Sequence, residues 1–160
     1  MRLLLSHRAE LLKDLTERVC SVFKVPTPKI EVTIVGPNGY YPTENKILLN
    51  VNSAGFGTIV HEVSHYILWL AGIRRPQFEP EDEVEANILS RILYGKLPQS
   101  LIEYASVRST AVEWCENLLK SGEVRTVSSI ERELWDNINV CRRNVETALD
   151  YLRRRGCTIL

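Results

Sequence analysis

Apolar side chains recur at helical spacing near the start of the chain, between Ser6 and Pro26. Ser6 can cap a helix and Pro26 cannot continue one, so these two residues predict the limits of an amphipathic helix. Residues 29–35 alternate between apolar and polar side chains, which predicts a strand with one buried face. That face would comprise Ile30, Val32 and Ile34. Turn residues lead to another strand over 46–51, and together these segments favour an antiparallel meander.

Two helices are predicted after the strands. Residues 59–70 are apolar almost all round, which is typical of a helix buried inside a domain. Thr58 is expected to cap this helix and Gly72 to end it. An acidic helix should follow from about Pro80 to Tyr94, where Gly95 stops it.

The remaining residues predict two longer helices, from about Gln99 to Leu119 and from Ser128 to Gly156. Ser128 and Glu131 have the spacing of a capping box. The second of these helices carries a continuous apolar stripe: Ile130, Leu134, Ile138, Cys141, Val145, Leu149 and Leu152. We therefore expect an α+β fold, with residues 1–98 as its core. Residues 99–160 would be a helical extension packed on that core, as one compact unit.

Composition narrows the classes of protein that the chain could represent. The 160 residues include 20 Lys+Arg and 20 Asp+Glu, so no overall field attracts nucleic acid or a membrane. The four cysteines form no CxxC pair that would indicate a zinc ribbon or a dithiol site. The apolar run at the start is too short for a signal peptide, and no segment is long enough to span a membrane. We expect a cytoplasmic protein without a nucleic-acid or membrane partner.

The segment His61-Glu62-Val63-Ser64-His65 carries the clearest chemical signal. Two histidines four positions apart on a helix share one face, and the glutamate after the first histidine lies beside them. This is the HExxH arrangement of zinc hydrolases. We expect a zinc ion, Zn²⁺, bound by His61 and His65, with Glu62 as the general base that takes a proton from water.

A third ligand is needed, because hydrolytic zinc sites use three protein ligands and keep one position open. No histidine follows His65, so a carboxylate from the acidic run at 79–87 is expected. Glu83 is favoured because Asn87, four positions later, lies on the same helix face and could support a ligating histidine. Glu85 is the alternative ligand, and Glu81 and Asp82 are expected only to favour the start of a helix.

These motifs resemble those of the gluzincins, the thermolysin-like metallopeptidases, and particularly the minigluzincins and the ImmA/IrrE metallopeptidases. The second motif of those small families is similar to Glu83-Val84-Glu85-Ala86-Asn87, and the resemblance covers roughly residues 7–98. It implies a zincin-like fold, with Glu83 as a metal ligand and Asn87 in support. It also implies a polypeptide substrate bound along a sheet edge, for which residues 46–51 are expected.

Two matters stay open at the level of sequence. A donor for the developing oxyanion could be any of Tyr40, Tyr41, Tyr94 and Tyr104, whereas His7 is expected to be solvated. The C-terminal helices could keep a peptidase latent or recruit a protein partner. A different class of function, a metal-binding regulatory module with weak catalysis on the same fold, is the alternative.

Overall fold

A computed structural model of the chain describes residues 2–109, 112–119 and 137–160. Within these ranges the protein has an α+β fold, with six α-helices and a small mixed sheet of three strands. None of the described helices is long and apolar enough to cross a membrane. The elements are α1 Arg2–Val22, β1 Lys29–Thr33, β2 Gly39–Tyr41, β3 Lys46–Asn50, α2 Phe56–Leu70, α3 Pro80–Tyr94, α4 Gln99–Arg108, α5 Val112–Leu119 and α6 Ile138–Arg154.

Helix α1 ends where the sequence predicts but begins earlier. It starts at Arg2, so the prediction that Ser6 caps it is wrong, and Ser6 lies inside the helix as an exposed residue. A serine on a solvated helix face costs little, which is why it need not mark a helix start. The helix stops after Val22, and Lys24 adopts a left-handed backbone with φ 61° two residues before Pro26.

The sheet differs from the predicted antiparallel meander. Its strand order is β1-β3-β2, with β3 parallel to β1 and antiparallel to β2. A tight turn through Pro42–Glu44 returns the chain from β2 to β3. Strand β1 ends at Thr33, so Ile34 is exposed instead of buried as expected.

Asparagine side chains explain how the connection from β1 to β2 passes over the end of β3. Asn50 donates its backbone N–H to Asn38 at 2.6 Å and its side-chain amide to the carbonyl of Gly36 at 2.7 Å. Asn52 donates to the carbonyl of Ile34 at 3.1 Å. These contacts hold the connection across the end of the central strand. The expectation that 46–51 is a free sheet edge is therefore wrong, because β1 and β2 occupy both sides of β3.

Helices α2 and α3 lie against each other and form the most extensive contact between the described elements. Helix α2 begins after Gly55, so Thr58 is not its first cap as predicted, but its hydroxyl accepts the backbone N–H of Gly55 at 3.2 Å. Gly72 ends α2 with a φ of 92°, which confirms the predicted stop. Helix α3 runs from Pro80 to Tyr94, as predicted.

The C-terminal region packs on the same core as the elements before it. The predicted helix from Gln99 to Leu119 is interrupted, because α4 ends at Arg108 and Ser109 is extended. The predicted start at Ser128 and its capping box lie outside the described residues. Helix α6 buries the predicted stripe from Ile138 onward. One apolar cluster joins both parts of the chain, among others through Leu15, Val19, Ile59, Val63, Leu89, Leu101, Leu118, Val145 and Leu149.

Candidate metal centre

His61 and His65 lie one turn apart on α2 and present their rings to the same side. Their ring centroids are 4.8 Å apart, and the two rings are nearly perpendicular. Glu83 reaches this pair from α3. Its Oε1 lies 2.7 Å from Nε2 of His65 and 3.3 Å from Nε2 of His61. The three predicted ligands, on two helices and 22 positions apart along the chain, thus meet at one point.

The ligand atoms of His61, His65 and Glu83 all lie within 4.8 Å of one another. In the described part of the chain they are the sole group of three such residues able to hold a metal ion. Two imidazole nitrogens and one carboxylate oxygen match the donor set of hydrolytic zinc sites, which leave a fourth position for water. All three residues are partly exposed, so the centre is neither sealed in the core nor fully solvated. The residues fit zinc.

Glu62 is buried beside the two histidines, with 4% of its surface exposed. Successive residues of a helix are separated by about 100°, so Glu62 lies next to the face of His61 and His65 without sharing it. Burial raises the pKa of its carboxyl group, and the nearby histidines oppose that rise. A carboxyl group in such a place is suited to take and return a proton.

The charges of the centre influence one another strongly. Burial alone would raise the pKa of Glu83, but its hydrogen bonds with His61 and His65 outweigh burial and hold the pKa well below its usual range. Burial alone would lower the pKa of His61, yet the carboxylates of Glu83 and Glu62 raise it. The cluster therefore favours a carboxylate at Glu83, the form that can bind a cation.

Glu85, the alternative ligand, is occupied elsewhere. It is completely buried, and both of its carboxylate oxygens accept hydrogen bonds from Arg75, at 2.6 and 2.8 Å. A third hydrogen bond, of 2.6 Å, comes from the side-chain amide of Asn144 on α6. With no oxygen turned to the histidines, Glu85 has the role of a structural anion, and the alternative ligand assignment is not supported.

The other acids at the start of α3 behave as expected for a helix terminus. Asp82 accepts the backbone N–H of Glu79 at 2.8 Å and also pairs with Arg75 at 2.7 Å. Glu81 accepts a hydrogen bond of 3.1 Å from Asn137. Asp82 thus helps to cap the helix, and both carboxylates hold neighbouring segments, so Glu83 is the acid of this run that reaches the histidines.

Arg75 and Asn144 were not singled out from the sequence. A signal for Arg75 was present, because Glu85 falls on the same helix side as Val84 and Ile88, the apolar side of α3. A glutamate there needs a cation, since an unpaired buried charge is strongly unfavourable. Arg75 is the nearest arginine before Glu85 in the sequence, but only the path of the segment between α2 and α3 brings it to Glu85. Nothing in the sequence pointed to Asn144.

Asn87 is buried on α3, but its expected support of the histidines is not visible. Within the described residues, no hydrogen bond joins its side chain to His61 or His65. Its backbone carbonyl accepts the hydroxyl of Ser90 at 3.0 Å. The supporting role of Asn87 therefore stays a prediction.

Two of the four candidate tyrosines are engaged away from the centre. Tyr104 donates its hydroxyl to Asp14 on α1, and Tyr94 donates to the carbonyl of Leu119 at 3.5 Å. Tyr40 packs against Tyr66 of α2, with ring centroids 5.5 Å apart, which places it on the side of the sheet nearest that helix.

Two further side chains complete the description of the surroundings. His7 is exposed, as expected, and contacts the carbonyl of Arg108 at 2.9 Å. Phe78 lies beside the centre, with its ring 6.2 Å from the ring of His65 and 70% of its surface exposed. It gives the rim of the centre an apolar surface.

Comparisons of the chain with models of protein families, with curated proteins and with solved structures found no significant match. The geometry of the centre alone defines it as a group of two histidines and one glutamate with a buried glutamate beside it.

Proposed function

We propose that the chain is a zinc metallopeptidase with a compact gluzincin-type site. The observation that carries this proposal is the convergence of His61, His65 and Glu83, whose ligand atoms lie within 4.8 Å of one another. The HExxH motif alone predicts two ligands, and the contact between α2 and α3, which brings Glu83 to both histidines, supports Glu83 as the third. When bound, a zinc ion would acidify a water molecule and polarise the carbonyl group of the substrate.

Glu62 is assigned to proton transfer. Its carboxylate takes a proton from the attacking water and gives it to the leaving amine, so the peptide bond breaks as a new C–O bond forms. Burial favours the first of these steps, because a carboxylate with a raised pKa is a stronger base and takes a proton from water more readily than a solvated one. His61, His65 and Glu83 hold the metal and do not exchange protons in this scheme.

The proposed substrate is an extended polypeptide. Among the described residues strand β2 is an edge of the sheet and contacts α2, the helix of the two histidines, so N–H and C=O groups on its outer side could pair with an extended peptide. Phe78 offers an exposed apolar surface beside His65 for a substrate side chain. We therefore assign the peptide-binding edge to β2 instead of residues 46–51, because β3 lies in the middle of the sheet.

Helix α6 bears on the idea of latency. It contacts α3 through Val84, Glu85 and Ile88, which lie roughly 100–200° round that helix from Glu83. Helix α6 therefore packs on a different face of α3 from the one that carries Glu83. Latency, or recruitment of a partner by the C-terminal helices, stays a prediction for the chain as a whole.

The decisive experiment compares the wild type with Glu62→Gln after zinc loading. We expect one zinc per chain in both proteins, cleavage of denatured casein or a peptide library by the wild type, and no cleavage by the variant. Glu103→Gln, which alters an exposed glutamate on α4, is the matched control and should retain full activity. Equal cleavage by the wild type and Glu62→Gln would contradict the proposal. Zinc binding without cleavage by either protein would favour the metal-binding regulatory module.

A further inference from the structure

We propose that Arg75 positions the third metal ligand: it clamps α3 in the one rotation that brings Glu83 to the histidines. Arg75 lies in the segment 71–79, which joins the helix of the histidines to the helix of the glutamate. This inference rests on the proposed function, because it explains how the ligand set of that site is held together. Among the described residues, the guanidinium group of Arg75 forms its hydrogen bonds with Asp82 and Glu85 and not with the histidines or Glu83, so it would act through α3 as a positioning residue.

The pairing of Arg75 with Glu85, which we call the clamp, holds α3 on the side away from the metal centre. Glu85 follows Glu83 by two positions, so the two side chains are about 200° apart around the helix. Both guanidinium N–H groups that Arg75 directs to Glu85 are well within hydrogen-bonding distance, at 2.6 and 2.8 Å. A rotation of α3 by a single residue, about 100°, would break this pairing and also withdraw Glu83 from the histidines.

The chemistry of the pair makes the clamp rigid. A guanidinium group is planar and meets a carboxylate with two parallel hydrogen bonds, which fixes direction as well as distance. Glu85 is completely buried, and a buried carboxylate without its cation is strongly destabilising. Glu85 therefore cannot leave Arg75 easily, and α3 is held at that angle.

Two further contacts extend the clamp beyond one pair. Asp82 binds the same guanidinium nitrogen of Arg75 as Glu85 does, and its second oxygen caps the backbone N–H of Glu79. The start of α3 is thereby fixed to the joining segment. Asn144 of α6 donates to Glu85 from another direction, so the C-terminal helix helps to set the position of the ligand helix.

The test uses the full-length chain and variants that lack the clamp. Arg75→Met removes the guanidinium group, and the double variant Arg75→Met/Glu85→Leu also removes the buried carboxylate that would be left unpaired, so it should fold even where the single variant does not. Arg75→Lys keeps the charge but not the paired hydrogen bonds. Arg18→Met is the matched control, because Arg18 contacts Asp14 and Tyr104, away from α3.

Two readouts separate the clamp from the zinc site. The first is the distance between Oε1 of Glu83 and Nε2 of His65 in crystal structures of the metal-free proteins, which starts from 2.7 Å here. The second is zinc affinity, measured by competition with a chromophoric chelator. We expect Arg75→Met and the double variant to lose the Glu83–His65 contact. Their zinc affinity should fall by about 10- to 100-fold, and that of Arg75→Lys should fall by less. Arg18→Met should match the wild type in both readouts.

A folded double variant that keeps Glu83 on His65 would overturn the clamp, whatever its zinc affinity. A wild type that binds no zinc would instead overturn the proposed function, and the metal-free distance would still decide the clamp. Asn144→Ala leaves the arginine pair in place and should weaken zinc binding less than Arg75→Lys does. Equal affinity in Asn144→Ala and Arg75→Met would contradict the order of contributions proposed here.

Discussion

Glu83 and Glu85 occupy opposite sides of the same helix and differ in both exposure and bonding partners. Glu83 keeps 40% of its side chain exposed and turns one oxygen to two imidazoles. Glu85 has no exposed surface, and Arg75 and Asn144 occupy both of its oxygens. The residue type and the helix are the same, so the partners that the fold supplies decide which carboxylate can hold a metal and which one holds the helix.

The two glutamates also contribute to different free energies, Glu83 to that of metal binding and Glu85 to that of folding. Glu83 is partly exposed, so solvent screens its hydrogen bonds with the histidines and it contributes little to the fold while the site is metal-free. A buried ion pair contributes to the fold only while both partners are present, since the loss of one leaves the other charge desolvated. Substitutions on the two sides of α3 should therefore affect different measurements.

The largest expected effect is the loss of zinc from Glu83→Ala. With one of three ligands removed, zinc affinity should fall by more than about 100-fold, the upper end of the range for residues that only support a ligand. Glu81→Ala, in the same helical turn, is the control and should bind zinc like the wild type. Equilibrium dialysis against zinc measures both. Retained affinity in Glu83→Ala would break the distinction between the two glutamates.

On the other side of α3, Glu85→Gln should lower the free energy of unfolding by about 2–3 kcal/mol, because Arg75 loses its buried anionic partner. Urea unfolding of the metal-free protein measures this. Glu83→Gln serves as the comparison and should cost less than about 1 kcal/mol, as expected for a partly exposed pair. A larger loss for Glu83→Gln than for Glu85→Gln would reverse our account of the two sides.

A smaller effect is expected at the start of the segment that carries Arg75. Gly72 has a φ of 92°, which side chains with a Cβ rarely adopt, so Gly72→Ala should cost about 1 kcal/mol or slightly more. Gly95→Ala is the control at the end of α3, where φ is −65° and alanine is unstrained. It should be neutral or stabilise by up to about 1 kcal/mol. Equal thermal midpoints for the two variants would contradict this assignment.

The smallest effect is a pH dependence of the metal-free protein. The pKa of Glu83 is lowered in the fold, so its contribution is present above about pH 4.3 and is lost as the pH falls through the folded pKa. The pKa of His61 is raised, so its contribution is full below about pH 6.5 and is lost as the pH rises through the folded pKa. Stability from this pair should therefore be greatest between these two limits.

Urea midpoints measured with a chelator at about pH 5.5 and about pH 8 test this dependence, because these two pH values bracket the pKa of an unfolded histidine. In Glu83→Gln the decrease toward the higher pH should be smaller than in the wild type. An identical decrease in the two proteins would assign the pH dependence to other groups.

The elements that local chemistry determines were predictable from the sequence. Pro80 begins α3 and Gly72 ends α2, because each favours a particular local backbone conformation, and Gly95 follows the last residue of α3 as a poor helix former. The strand order was not predictable from alternation. It depends on Asn38 and Asn50, whose hydrogen bonds carry the chain across the end of β3, and such contacts leave no periodic trace.

The candidate centre shows the same division. His61, Glu62 and His65 follow from the period of one helix, and Glu83 from the need for a third ligand. The choice against Glu85 required its burial against Arg75 and Asn144, which come from other segments of the fold. The periodicity of a single helix does not predict which side chains from other segments will contact it.

The most direct test of the central claim is anomalous diffraction at the zinc edge from crystals of the zinc-loaded wild type. We predict one strong peak per chain, about 2.0–2.2 Å from Nε2 of His61, Nε2 of His65 and a carboxylate oxygen of Glu83. Arg75 should remain paired with Glu85 in the same crystal. A zinc ion bound by Glu85, or no peak between the two histidines, would contradict the account.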